Sequence, residues 1–164
     1  MSALAQLRIN DLRPRLSVKP NPAGYPVSRR KRVGPIDSAT VHYNGPALSV
    51  RGDVARELNH IINIDVPNHQ SRIGADSLMY HFAVLSDGSI WQTRDIDFIA
   101  WHCAHPYGNE HSLSIHLPIG DAQQPTPAQL ASLSALLDAL GEDYGFPRSS
   151  VKGHQEWSAS ACPG

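Results

Sequence analysis

The stretch YHFAVLSDGSIWQT, at positions 80–93, decides the fold class of this chain. Two runs of apolar and β-prone residues, 80–85 and 90–93, flank the pair Asp87-Gly88. Asp-Gly between two such runs is a strong signal for a hairpin, because glycine accepts the positive φ that a tight turn requires. The stretch therefore predicts an antiparallel pair of strands near the middle of the chain.

Further strands and a helix are predicted on either side of this hairpin. Apolar runs at 39–43 and 113–117 are short, which is typical of buried strands. Apolar residues recur at helical spacing over 50–63, and Ser49 is positioned to cap that helix. Strands and helices mixed within 164 residues predict a single α/β domain, with a mixed central β-sheet flanked by helices.

A second helix has the clearest boundaries in the chain. Thr126 is the expected N-cap, Pro127 takes the first helical position, and Gln129 completes a capping box. Gly145 is expected to end the helix. The expected buried stripe consists of four leucines: Leu130, Leu133, Leu137 and Leu140.

The N-terminal segment has a different composition. Residues 1–37 contain five prolines among many charged residues, which disfavours regular structure over most of the segment. We expect an extended arm that wraps around the domain, so that the domain proper comprises residues 38–164. Because the N-terminus also lacks the pattern of a signal peptide, we expect synthesis in the cytoplasm, and any export would need another device.

The charge balance argues against some classes of partner. The chain has 14 basic and 15 acidic residues, so no global field attracts nucleic acid or an anionic membrane. The basic run at 29–32 is typical of a solvated loop, and contact with an anionic polymer such as a cell wall is the alternative.

No apolar run approaches the ~20 residues that a membrane-spanning helix needs. We expect a monomer.

Three distant side chains form a candidate metal site. His42 lies near the end of the predicted strand 39–43, while His154 and Cys162 lie close to the C-terminus. Two imidazoles and one thiolate are a typical zinc set, and three protein ligands leave a fourth position for water, as in catalytic zinc sites. If the three converge, they indicate a zinc hydrolase. We expect Cys162 and the other cysteine, Cys103, to be reduced.

Two other features have open interpretations. Tyr80 could donate a hydrogen bond to an oxyanion, or it could be a half-buried strand residue that only packs. The loop around His102 and His105 contains ligand-like residues, which we interpret as a substrate-contacting rim, with a second metal site as the alternative.

Five segments, in order, resemble motifs of the zinc-dependent N-acetylmuramoyl-L-alanine amidases of type 2, the family that includes amidase-type phage lysozymes and peptidoglycan recognition proteins. The family motifs are "YHF…DG…GR", "GxHA", "N…SIGI", "T-x-x-Q" and "GH…CPG". The similar segments here are 80–94, 101–104, 109–115, 125–130 and the closing pair 153–156 with 161–164.

This resemblance implies a ligand set, a reaction and a partner. It implies that His42, His154 and Cys162 bind Zn²⁺ and that Tyr80 is catalytic. The implied reaction is hydrolysis of the amide between N-acetylmuramic acid and L-alanine in peptidoglycan, with Tyr80 steadying the oxyanion. Ser160 stands where relatives have a catalytic Lys or Thr.

The resemblance also implies a substrate cleft and a place of action. Residues expected to contact substrate are His102, Trp101 and Asn109, although Trp101 could equally belong to the core. We expect action at the bacterial cell wall, as an endolysin of phage type or a bacterial autolysin, and the missing signal-peptide pattern favours a phage or prophage origin. The alternatives are a peptidoglycan-binding domain without catalysis and a zinc peptidase that cuts within the stem peptide.

Two departures from the family pattern affect these expectations. His116 occupies the position at which one branch has a catalytic Glu, so it either faces the site or has a structural role. Relatives usually continue past the position of Gly164, and we expect this catalytic domain to be cut from a longer protein.

Overall fold

The computed structural model describes residues 1–19 and 30–163. Within this part of the chain, six strands form one sheet in the order β1-β4-β3-β5-β2-β6. The strands are β1 (Ile9–Asp11), β2 (Ser38–Tyr43), β3 (Phe82–Val84), β4 (Ile90–Gln92), β5 (Ser112–Leu117) and β6 (Val151–Gly153).

The sheet is mixed, as the sequence predicted. The predicted hairpin is present: β3 and β4 pair antiparallel, and Gly88 in the turn between them has φ +84°. The other four pairs in the sheet are parallel. The central strand β5 is buried along its whole length, as expected for a strand with parallel neighbours on both sides.

Four α-helices accompany this sheet in the described residues: α1 (Val54–His60), α2 (Val66–Arg72), α3 (Pro106–His111) and α4 (Pro127–Tyr144). A π turn, Ile61–Asp65, joins α1 to α2 without a break in the chain direction. Among the described residues, no helix is both long enough and apolar enough to cross a membrane.

The predicted helix over 50–63 was wrong at both ends. Gly52 has φ +91°, so the chain is still turning there and Ser49 cannot be the cap. The N-cap is Asp53, whose carboxylate accepts a hydrogen bond from the backbone N–H of Arg56 at 3.1 Å. At the other end the π turn carries the helical path on into α2.

Helix α4 confirms the predicted capping box. The Thr126 hydroxyl accepts from the Gln129 N–H, and the Gln129 side chain accepts from the Thr126 N–H, both at 3.0 Å. Gly145 ends the helix with φ +76°. Leu130, however, is 50% exposed, because Gln129 takes the inward position and donates to the Val84 carbonyl oxygen. The expected leucine stripe was wrong at that one position.

Apolar clusters pack on the sheet. The larger includes Phe82, Ile115 and Leu136 and joins α4 to the sheet. A second includes Leu12 and Leu58 and joins the N-terminal segment to α1.

The N-terminal segment is more regular than expected over residues 1–19. It contributes edge strand β1, which pairs parallel with β4, and short 3₁₀ turns at Leu4–Gln6 and Arg13–Arg15. Residues 20–29, which include three of the five prolines and Arg29 of the basic run, lie outside the described residues. The wrapping arm stays a prediction there. Arg30, also in that run, is not free, since it forms an ion pair with Glu110 at 2.6 Å.

Candidate metal centre and cleft

The three candidate ligands converge at one end of the sheet. Strands β2 and β6 are parallel with Val41 opposite Gly153, so the next residues, His42 and His154, lie side by side. Their ring centroids are 5.0 Å apart. Cys162, in the C-terminal segment, completes a group in which one donor atom from each residue lies within 4.8 Å of the other two.

The spacing and chemistry of this group fit a tetrahedral zinc ion. The Cys162 Sγ lies 3.6 Å from the His42 Nδ1. Two donors at usual Zn–S and Zn–N distances in a tetrahedron are separated by about 3.3 to 3.7 Å. His42 and Cys162 are buried and His154 is half-buried, so the group is largely shielded from solvent.

The protonation of the three residues also suits a metal. Burial and the neighbouring imidazoles lower the pKa of His42 well below its ordinary value, and burial lowers the pKa of His154. Both rings are therefore neutral near pH 7, the form that binds metal. Burial raises the pKa of the Cys162 thiol, although the Tyr43 N–H, which donates to Sγ at 3.2 Å, acts in the opposite direction. Thiolate formation at this position would therefore be favoured by a bound cation.

His102 lies behind His42. Its Nδ1 is 2.9 Å from the His42 Nε2, which leaves the His42 Nδ1 on the side of Cys162. The Asn109 Oδ1 in turn accepts from the backbone N–H groups of His102 and Cys103, at 3.0 and 3.1 Å. Partners of this kind fix the tautomer and orientation of a metal-binding histidine.

Tyr80 lies between two imidazoles next to the group. Its ring is 5.1 Å from that of His42 and stacks on that of His116 at 4.7 Å. Burial raises the pKa of Tyr80 above its ordinary value, so the phenol stays protonated and is able to donate a hydrogen bond. His116 is fully buried, and within the described residues neither of its ring nitrogens has a hydrogen-bond partner.

Ser160 contacts the backbone of Cys162, one of the three candidate ligands. Its hydroxyl oxygen accepts from the backbone N–H of Cys162 at 3.1 Å, which holds the loop that carries the thiol. It is not among the residues that line the cleft described next. A catalytic role for Ser160 stays a prediction.

A cleft of about 690 Å³ opens beside the three candidate ligands. Its wall brings together five residues that the sequence singled out: Tyr80, Trp101, His102, Asn109 and His154. The cleft therefore joins the expected substrate contacts to the candidate metal site.

The sequence reasoning missed several polar residues of the cleft wall, among them His60, Asp65, His69 and Arg72. Asp65, the last residue of the π turn, is only 7% exposed and lines the cleft. Burial raises its pKa to about 7. A signal was available, because an aspartate in the mostly apolar segment 61–66 is unfavourable inside a helix unless its carboxylate has another use.

Comparison with known proteins points to one family. A model of the N-acetylmuramoyl-L-alanine amidase family matches residues 32–164. The chain is also 29% identical, over 85 residues, to endolysin PlyTW of Staphylococcus phage Twort. That match covers 48% of this chain and 18% of the endolysin, so the chain corresponds to a small part of that relative.

Solved structures agree on the fold. The chain is similar to the Drosophila peptidoglycan recognition protein SD, with a TM-score of 0.74, 19% identity and coverage of 97% of this chain and 89% of that one. It is similar to the N-acetylmuramoyl-L-alanine amidase LysC from Clostridium intestinale, with a TM-score of 0.68, 20% identity and coverage of 97% and 90%.

Proposed function

The chain belongs to the N-acetylmuramoyl-L-alanine amidase family, and from this premise we propose that it hydrolyses the amide between N-acetylmuramic acid and L-alanine in peptidoglycan, using zinc held by His42, His154 and Cys162. The observation that carries the proposal is the convergence of these three donors beside the 690 Å³ cleft, whose wall includes His154. The similarity to a phage endolysin supports action on the bacterial cell wall.

The proposed mechanism assigns a task to each residue around the scissile amide. A zinc ion at this position supplies a Lewis acid and lowers the pKa of water toward neutrality. Tyr80, protonated at neutral pH, donates a hydrogen bond to the carbonyl oxygen as negative charge develops on it. His102 holds the ring of His42 in place through the contact at 2.9 Å. Trp101 and Asn109 help to form the wall against which the substrate lies.

The test is a digestion of purified peptidoglycan, followed by mass spectrometry. The proposal predicts peptides with a free L-alanine amino terminus and glycan strands that lack peptide. The Cys162→Ala variant should lose both zinc and this release. The matched control is Cys103→Ala, which removes the other buried thiol and should retain zinc, because Cys103 is outside the three-donor group.

Two results would contradict the proposal. Stoichiometric zinc in a protein that binds peptidoglycan without releasing peptide would indicate a recognition domain. New termini inside the stem peptide, with the L-alanine link intact, would indicate a peptidase.

A further inference from the structure

Asp65 has one oxygen in contact with a neighbour and one oxygen without a partner. Its Oδ1 lies 3.4 Å from the His60 Nε2. The His60 ring is itself 3.5 Å from the Asn44 Nδ2, close after strand β2. The Asp65 Oδ2 is buried and has no hydrogen-bond partner anywhere in residues 1–19 and 30–163. An unsatisfied buried carboxylate oxygen is costly, so its presence on a cleft wall indicates a group that arrives with the ligand.

The surroundings of Asp65 favour a hydrogen-bond donor. Of the described residues that line the cleft, Asp65 alone is acidic. The neighbouring imidazoles of His60 and His69 are neutral near pH 7, because burial lowers the pKa of each. Arg72 is the basic residue of the same wall. Asp65, with a pKa raised to about 7, presents its free oxygen to the cleft beside uncharged rings, and a hydrogen-bond donor that carries positive charge would favour its ionised, accepting form.

We propose that Asp65, positioned by His60, determines specificity by accepting a hydrogen bond from a primary amine or primary carboxamide of the stem peptide. An –NH₃⁺ or –CONH₂ group offers several protons to the free oxygen and brings no negative charge. This inference rests on the proposed function for the identity of the ligand. It adds which kind of stem peptide the cleft selects.

The experiment uses four muramoyl tripeptides that differ by two changes. The second residue is D-isoglutamine or D-glutamate, and the side-chain amine of the third residue, L-lysine, is free or acetylated. Values of kcat/KM are measured for the wild type and for Asp65→Ala. In parallel, the affinities of both zinc-loaded proteins for the four released tripeptides are measured by calorimetry.

The two donors are the carboxamide of the second residue and the side-chain amine of the third. The proposal predicts that kcat/KM and tripeptide affinity of the wild type depend on one of them. Removing that donor should lower kcat/KM and tripeptide affinity by about tenfold, as expected for a lost charge-assisted hydrogen bond. The Asp65→Ala variant should show no response to the same removal. Equal responses of the two proteins to every donor removal would overturn the proposal.

Two further variants keep the result interpretable. Asp65→Asn retains the size of the side chain without its charge, and it replaces Asp65→Ala if that variant does not fold. Its response to donor removal should be weaker than that of the wild type. Glu142→Gln removes one negative charge from an exposed position on α4 and should respond as the wild type does. The calorimetry gives an answer even if the wild type hydrolyses none of the substrates, which would contradict only the proposed function.

Discussion

At the scale of single residues, the contact between His102 and His42 makes a specific prediction. His102→Ala removes the partner 2.9 Å from the His42 Nε2, so that His42 loses its fixed tautomer and orientation. Zinc affinity should fall by about 10- to 100-fold, as is typical for partners of metal-binding histidines. Competition with a chromogenic chelator measures this. His111→Ala, on α3 and outside the three-donor group, should leave the affinity unchanged.

Tyr80 carries the second prediction at this scale. Tyr80→Phe removes the proposed oxyanion donor but keeps the ring that packs between His42 and His116. We expect zinc content to be unchanged and kcat to fall by about 10²- to 10³-fold. Single-turnover release of peptide from purified wall measures the rate. An unchanged rate would reduce Tyr80 to a packing residue.

The sequence predicted which residues meet in the site better than it predicted their contacts. The sequence predicted that His42, His154 and Cys162 come together, and the structure places one donor atom from each within 4.8 Å of the other two. The contact of His102 with His42 depends on the path of a loop, and Asp65 became recognisable only when its burial and the cleft were seen. Contacts between residues far apart in sequence leave no local pattern to read.

At the scale of elements, Gly88 in the hairpin turn is constrained both by its backbone conformation and by its close approach to α4. Its φ is +84°, and an added Cβ would lie 2.9 Å from the backbone oxygen of Ala128. Gly145 has a similar φ of +76°, but an added Cβ there meets nothing within 4 Å. Gly145→Ala should cost about 1 kcal/mol for the backbone conformation alone.

The prediction concerns the difference in stability loss between the alanine variants of these two glycines. Gly88→Ala should cost about 1 to 3 kcal/mol more than Gly145→Ala, because α4 must move away from the hairpin. Urea unfolding of both variants and the wild type gives the two differences in the free energy of unfolding. Equal losses would show that the hairpin and α4 are not in close contact at this turn.

Elements with strong local signals were predicted well, and the others were not. The Asp-Gly turn and the capping box at Thr126 act within a few residues, so they are visible in sequence. The start of α1 was misplaced because the chain still turns at Gly52, so that Asp53 rather than Ser49 is the N-cap. Strand β1 was missed because it pairs with β4, some 80 positions away along the chain.

At the scale of the whole molecule, the buried histidines make stability depend on pH. Ser114 donates its backbone N–H to the Nδ1 of His81, and the Nε2 lies 2.9 Å from the Phe98 carbonyl oxygen, an arrangement that suits the neutral ring. Burial, together with the Arg32 guanidinium, lowers the pKa of His81 well below its ordinary value. Burial lowers the pKa of His116 to about 3.

The sign of the effect follows from these shifts. In the unfolded chain histidine titrates near pH 6.5, so between that value and the folded pKa the unfolded state binds more protons. The free energy of unfolding of the zinc-free protein should therefore fall as the pH falls below about 6.5. His116 alone contributes a loss of about 2 kcal/mol by pH 5. His81 and His102 act in the same direction, and Asp65, with its raised pKa, opposes them.

Urea unfolding of the chelator-treated protein at pH 7 and pH 5 measures the net change. We expect lower stability at pH 5, because the lowered histidine pKa values outnumber the single raised carboxyl pKa. Stability that is equal or higher at pH 5 would show that these rings are solvated in the folded protein.

The central claim is that three side chains distant in sequence hold one zinc ion beside the cleft. Anomalous diffraction at the zinc edge, from crystals grown with one equivalent of zinc, tests it most directly. The account predicts a single strong peak about 2.0 to 2.3 Å from nitrogen atoms of His42 and His154 and from the Cys162 Sγ. A map with no peak among these three residues, or with zinc bound elsewhere, would contradict it.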